Sequence, residues 1–314
     1  MVLNWALRRL NRHDHGSAMA LNEFFDGYYY PYIRSRKEKP YYDRIIYKNH
    51  IRDSLGGFRM DAIKKATLEL WLQAQLEAGL KNATVNKHIC LVNKILKTAS
   101  EWEHLPNYNP DHHALSQLRL GQLRQRFLNH QEIEEVLSAC ATSPHPFLKF
   151  FIQILLLTGA RSGEALGAKW RDLDWENAIW TVPKSKNGKT RFIYLNASAV
   201  SVFRQIQQKA RRMNLPVTSA SPVFTNPKSK KAYKSFHLAW YAVREQVGLE
   251  DVRIHDLRHT YASLLVNKGV SLYEVQQLLG HSSAQMTQRY AHLAPNTLHR
   301  RTEIVAQIIN PGLR

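Results

Sequence analysis

Trp175-Glu-Asn-Ala-Ile-Trp-Thr-Val-Pro-Lys-Ser-Lys-Asn-Gly-Lys-Thr-Arg-Phe-Ile-Tyr-Leu195 carries the clearest β signal in the chain. Residues 178–182 and 191–195 hold the β-branched and aromatic side chains that suit a pleated strand. Asn187-Gly188 between them tolerates positive φ, so the stretch reads as a β-hairpin. Everything around it reads as helix. Just upstream, the apolar run 147–157 is a buried helix that stops at Thr158-Gly159, and 161–168 is a shorter one. Before them, Asn129 can cap a helix over 131–139 with Ile133, Val136 and Leu137 inward. Downstream, helices are expected at 197–211, 233–247, 256–268, 271–279, 283–292 and 296–309. The expected fold is mainly α with a small antiparallel β-sheet.

The first third also reads as helical. Leu21, Phe24 and Phe25 open an apolar face, and Tyr28, Tyr29, Tyr30 and Tyr32 gather around Pro31. Those tyrosines suit either a small helical core or contact with nucleic acid. A helix over 42–51 follows. Another over 67–78 has Leu68, Trp71, Leu72 and Leu76 at helical spacing and ends at Gly79. A fourth begins near Asn82, with Thr84 as its N-cap and Ile89, Leu91, Val92, Ile95 and Leu96 inward. Its outward Lys81, Lys87 and Lys94 suit a solvated face or phosphate contact. Leu105-Pro-Asn-Tyr-Asn-Pro110 halts the helix, and 111–113 reads as a surface loop. The expected division is a basic N-terminal tail at 1–17, a helical domain at 18–107, a linker at 108–126 and a second domain at 127–314. Arg119, Arg124 and Arg126 make the linker's second half basic, and such a linker can lie along a duplex backbone.

Composition narrows the partners. The 314 residues include 44 Lys and Arg against 25 Asp and Glu, a net charge of +19. An excess of that size points to a polyanion. The two cysteines, Cys90 and Cys140, sit in helix-like apolar segments and read as free thiols. The start of the chain has no signal-peptide core, and the most apolar run is too short to span a bilayer. The expectation is a soluble, cytoplasmic protein with no membrane partner. The Arg12-His-Asp-His15 tail lacks a third metal ligand nearby.

Chemistry-bearing residues cluster late. In His255-Asp-Leu-Arg-His259, His255 and Arg258 are three apart and share a face at a helix start. His255 with His259 could form a helical zinc pair, but Asp256 replaces the glutamate of H-E-x-x-H and Arg258 would stand beside the metal. His255 could also merely cap or pack. Gly280-His281 follows an amphipathic helix, and Tyr290 lies nine residues on. Taken singly, His281 reads as a cap and Tyr290 as half-buried packing. Arg161 follows a tight Thr158-Gly-Ala160 turn, with Glu164 placed to brace it. Alone, that pair reads as a surface ion pair.

Together these residues resemble the tyrosine recombinases, the family of phage integrases and Xer-type resolvases. T-G-x-R-x-x-E at 158–164, H-x-L-R-H at 255–259, L-G-H at 279–281 and the following Tyr290 stand in the family's order, and the likeness covers about residues 18–309. Ser185-Lys-Asn-Gly188 matches the family's hairpin lysine at Lys186, with Lys184 and Lys189 close by. The resemblance implies a catalytic set of Arg161, Lys186, His255, Arg258, His281 and Tyr290, supported by Glu164. It implies a helical core-binding domain that clamps DNA with the catalytic domain. Lys81, Lys87, Lys94 and Arg124 are the expected DNA contacts. Tyr290 is the implied nucleophile, Lys186 the general acid and His255 the acceptor of the phenol proton, with neither cofactor nor metal. Double-stranded DNA, a tetramer on two DNA sites joined through the C-terminal helix, and accessory DNA-bending proteins are the implied partners, in a bacterial or phage setting. About seventeen residues precede the likeness, so the family's arm-binding domain is expected to be lacking or truncated. Alternatives are a type IB topoisomerase-like relaxing enzyme and a non-catalytic DNA-binding relative.

Overall fold

The hairpin carries one strand more than the sequence suggests. The computed structural model describes residues 19–121, 124–183 and 188–294, with positions 305, 308 and 309. In it Leu173–Asp174 (β1) pairs antiparallel with Ile179–Val182 (β2), and β2 pairs antiparallel with Arg191–Tyr194 (β3). β1 is only two residues long, too short to show a strand period. Its Asp174 carboxylate accepts the backbone N–H groups of Glu176 and Asn177 at 3.1 and 3.0 Å, closing the turn into β2. Trp180 faces Ile193, and Val182 faces Arg191. Alternation then puts Arg191 and Ile193 on the buried face and Phe192 and Tyr194 on the open one.

The chain divides into two compact units, one up to Leu123 and one from Arg124. In the first, Leu21–Phe24 (α1) runs through a π-helical turn, Phe25–Tyr29, into Tyr30–Arg36 (α2). Tyr41–His50 (α3), Lys65–Glu77 (α4), Asn82–Glu101 (α5) and a single turn, Pro110–His113 (α6), complete it. The tyrosine cluster splits: Tyr29 is fully buried, while Tyr28 is exposed and stacks on Phe24. Lys81, and not Thr84, is the N-cap of α5. Residues 111–113 are helical because Asn109 accepts the N–H of Asp111 at 2.9 Å and caps the turn, and His113 is buried. Much of the expected linker packs on this unit. Asn86 and Asn93 of α5 each pair side-chain amide to backbone with Leu118 and Leu115, at 2.8–3.2 Å.

In the second unit, Asn129 caps His130–Thr142 (α7) through a reciprocal pair with Glu132, at 2.9 and 2.8 Å. Leu148–Thr158 (α8) is apolar on nearly every face and forms the centre of the core, packed against α7, Ala197–Arg212 (α10) and Asp256–Asn267 (α12). Ser162–Gly167 (α9) precedes the sheet, and His237–Gln246 (α11) precedes α12. Phe151, Phe224 and Phe236 interlock there, with Trp180 edge-on to Phe203. Leu272–Leu279 (α13) and the short Gln285–Gln288 (α14) follow, then a 3₁₀ turn, Ala291–Leu293. The helix expected over 283–292 is thus interrupted around Arg289. That guanidinium donates to the backbone carbonyl of Arg124, far away in sequence. Among the described residues, no helix is long and apolar enough to cross a membrane.

Candidate active site

Two left-handed glycines bring the site together. Gly159 ends α8 at φ +61°, and a Cβ there would lie 2.4 Å from the Tyr261 ring. Gly280 ends α13 at φ +61°, and a Cβ there would lie 2.5 Å from an Arg191 nitrogen. Glycine alone takes these backbone angles without strain. The two turns present the Gly159 and Leu279 carbonyls to Arg258, whose guanidinium donates one bond to each at 2.5 Å. Arg258 is only 4% exposed. Its two terminal nitrogens therefore tie the end of α8 to the end of α13, 99 and 21 residues away in sequence.

Arg161 enters at the start of α9. Glu164 accepts its backbone N–H at 2.9 Å with one oxygen and its guanidinium at 2.8 Å with the other. Arg191, which sequence reading passed over, closes the group. It donates to the Leu279 carbonyl that Arg258 also uses, and lies 3.7 Å from Glu164. Its Nε and one terminal nitrogen have no hydrogen bond among the described residues. Three guanidiniums thus meet around one carboxylate. Burial and the like charges of Arg161 and Arg191 pull the Arg258 pKa down to about 9, and burial lowers that of Arg191. Such a cluster is electrostatically incomplete without an anion, because one carboxylate cannot balance three cations. The signal for Arg191 was available: it shares the hairpin's inward face with Ile193 and Leu195, where a charge is out of place.

His281 follows Gly280 directly. Its Nδ1 pairs with the buried Thr287 hydroxyl at 2.8 Å, which fixes the ring. Burial, helped by Arg258, Arg161 and Arg191, takes its pKa down to about 3, so the ring is neutral near pH 7. Tyr290 is 4% exposed and packs with Ala262, Val266, Val275 and Leu279 between α12 and α13. Burial raises its pKa, against the opposing pull of Arg289 and Arg258, so the phenol is protonated at rest.

The phenol's partner is unexpected. His255, expected to take the tyrosine proton, is an exposed residue at the N-cap of α12. His259, one turn on, places Nδ1 2.5 Å from the Tyr290 Oη. The two imidazoles meet edge to face, with centroids 5.0 Å apart. The signal for His259 lay in the H-x-L-R-H spacing itself, which sets it on the same helical face as His255.

The other expected residues scatter. Lys186 lies outside the described residues. Lys87 and Lys94 are exposed on α5, seven residues apart and so on one stripe, with Lys81 exposed at its start. Arg124, expected on a DNA backbone, instead reaches Asp251 and buried Asp256 at 3.1 and 3.3 Å. Both carboxylates are shared, Asp251 with Arg126 and Asp256 with Arg253.

The sequence model of the phage integrase family matches residues 126–297. The integrase of Salmonella phage P22 is 31% identical over 232 residues, 72% of this chain and 57% of that protein. The chain therefore spans little more than half the length of that relative. The tyrosine recombinase XerA of Saccharolobus solfataricus is 26% identical over 268 residues, 81% of this chain and 83% of that one. In fold, the chain is similar to the Tn1549 transposon integrase solved in complex with transposon right end DNA. That likeness has a TM-score of 0.75 at 21% identity and covers 92% of this chain and 100% of the other. With the family match running through the Arg161, Arg258, His281 and Tyr290 segments and taking in more than half of the residues, the chain belongs to the phage integrase family, the tyrosine recombinases.

Proposed function

We propose that this chain cuts and rejoins double-stranded DNA at specific sites through a 3′-phosphotyrosyl intermediate on Tyr290. The observation that carries the reading is the gathering of Arg161, Arg258 and His281 on the two glycine turns, with Tyr290 packed between α12, which carries Arg258, and α13, which precedes His281. A phosphate entering this cluster supplies the missing negative charge. Arg161 and Arg258 give charge-assisted bonds to its non-bridging oxygens, and these strengthen as the phosphorane forms. Neutral His281 adds one more donor. Tyr290 attacks phosphorus, and the 5′ oxygen leaves with the bonding pair. Lys186, which matches the family's hairpin lysine, is the proposed donor of its proton. The new ester keeps the energy of the old one, so a 5′-hydroxyl can reverse the step without a nucleotide cofactor.

DNA is the proposed partner, held by the catalytic unit and by a core-binding domain whose exposed Lys81, Lys87 and Lys94 face phosphates. Positions 305, 308 and 309 are helical, and their Val305, Ile308 and Ile309 side chains are exposed. Those apolar groups support docking of the C-terminal helix on a neighbouring protomer, four protomers joining two DNA sites.

The test is covalent trapping on a nicked suicide duplex carrying a site the protein binds. The chain should form an adduct that Tyr290→Phe does not. A bound site that never yields an adduct would remove the enzymatic reading and leave the DNA-binding one. Relaxation of supercoiled plasmid with no specific site would favour a topoisomerase-like activity.

A further inference from the structure

We propose that His259 is the base that takes the phenol proton of Tyr290 as the nucleophile attacks. The inference rests on the strand-transfer reading above and concerns the part of it that the comparisons leave unassigned. Three observations carry it. First, Nδ1 of His259 lies 2.5 Å from the Tyr290 Oη, and among the described residues the phenol has no second hydrogen bond. Second, both groups are uncharged at rest, the phenol protonated and the ring neutral, so with the ring's own proton on Nε2 the phenol O–H donates to an unprotonated Nδ1. Third, both partners are positioned by packing. His259 sits within α12, between buried Arg258 and Thr260, and the Tyr290 ring is wedged against Val266, Val275 and Leu279.

The charged neighbours explain how such a weak base becomes useful. Burial is the largest cause of the depressed His259 pKa, which stands at about 4. Arg289, His255 and Arg258 lower it further, and Asp256 opposes them. Arg289 also lies against the Tyr290 ring, its guanidinium carbon 5.8 Å from the centroid. The same arginines pull the phenol pKa down, so burial, and not their charge, keeps the proton on the phenol at rest, while their charge keeps the imidazole a weak base. A DNA phosphate entering beside Arg258 offsets part of that positive field, so the imidazole becomes more basic when substrate is present. The bookkeeping of the step is simple. The Tyr290 Oη–P bond forms and the P–O5′ bond breaks, the phenol proton moves to His259 Nδ1, and the 5′ oxygen leaves with its electron pair and is protonated by the site's general acid. In the rejoining direction the imidazolium returns its proton to the departing phenolate.

The experiment measures the rate of covalent adduct formation on a nicked suicide duplex, with DNA binding measured alongside. His259→Ala should still bind DNA but form the adduct about 10²–10⁴-fold more slowly. Added imidazole should restore part of the rate, more so as pH rises and the neutral imidazole fraction grows. His259→Gln keeps a hydrogen-bond acceptor near the phenol but no base, so it should stay slow. Full activity of His259→Gln, or His259→Ala matching or exceeding the unmodified chain, would show that His259 only holds the ring, and would overturn the proposal. So would imidazole rescue of His255→Ala in place of His259→Ala. An unmodified chain that binds its site yet gives no adduct defeats the strand-transfer reading itself, a separate result from any of these.

Discussion

Glu164 shows how a single side chain can hold a cluster of like charges. It is 6% exposed, caps α9 through the Arg161 N–H, pairs with the Arg161 guanidinium and lies 3.7 Å from Arg191. Removing one member of a buried ion pair leaves the other uncompensated, at a cost of about 3–5 kcal/mol. Glu164→Ala should therefore destabilise the catalytic unit by about that amount in urea unfolding. Glu164→Gln should recover only the part due to the cap, and a change below about 1 kcal/mol for Glu164→Ala would mean the cluster is already balanced from elsewhere. At this scale the sequence was informative about residue type. Arg161, Glu164, Arg258, His281 and Tyr290 could be singled out because each stood in a recognisable local pattern. Arg191 and His259 left local signals too, an inward-facing charge and a shared helical face, but what each one touches depends on contacts across the fold. Arg191 meets Leu279 88 residues away, and His259 meets Tyr290 31 residues away.

At the scale of elements, the turn after α13 is the joint on which the site hangs. Arg191 and Arg258 both bond the Leu279 carbonyl, Gly280 turns the chain, and His281 emerges from it. Gly280→Ala puts a methyl group against the Arg191 guanidinium in a left-handed conformation. It should cost about 1–3 kcal/mol and displace His281, so adduct formation should fall more than DNA binding does. Equal losses of both would place the effect on folding alone. The helices that end in the two glycine turns were legible because α8 is a continuous apolar run that stops at Gly159 and α13 has an apolar period, a capped start at Ser271 and a stop at Gly280. The elements that departed from expectation had weaker local signals. β1 is two residues long, α6 is one turn raised on the Asn109 cap, and the helix before Tyr290 is interrupted where Arg289 bonds the Arg124 carbonyl. No sequence period reports such a distant bond.

For the molecule as a whole, burial of neutral histidines sets an acid limit. His88 is 2% exposed and stacks on His50, with its pKa taken down to about 4 chiefly by burial. His259 stands at about 4 and His281 at about 3. Unfolded histidines titrate near pH ~6.5, so below that pH the unfolded chain binds protons that the folded chain refuses. The stability these rings allow is fully present above pH ~6.5 and is lost as pH falls toward their folded values. Thermal unfolding should thus move to lower temperature between about pH 7 and about pH 5 in both units, since His88 belongs to the first and the other two to the second. A flat response across that range would mean the rings are protonated in place. The helical character of both units was legible from the apolar periods, whereas the seating of the 115–118 segment on Asn86 and Asn93 was not, because it rests on side-chain amides meeting backbone.

Tyr290 is the residue proposed to become joined to DNA. The most direct measurement is mass spectrometry of the trypsin-digested adduct from a suicide duplex. Trypsin cuts after Arg289 and Arg300, which isolates residues 290–300 with one tyrosine. Nucleotide mass is expected on that peptide, localised to Tyr290 and absent from Tyr290→Phe. Nucleotide on any other residue, or an undiminished adduct in Tyr290→Phe, would contradict it.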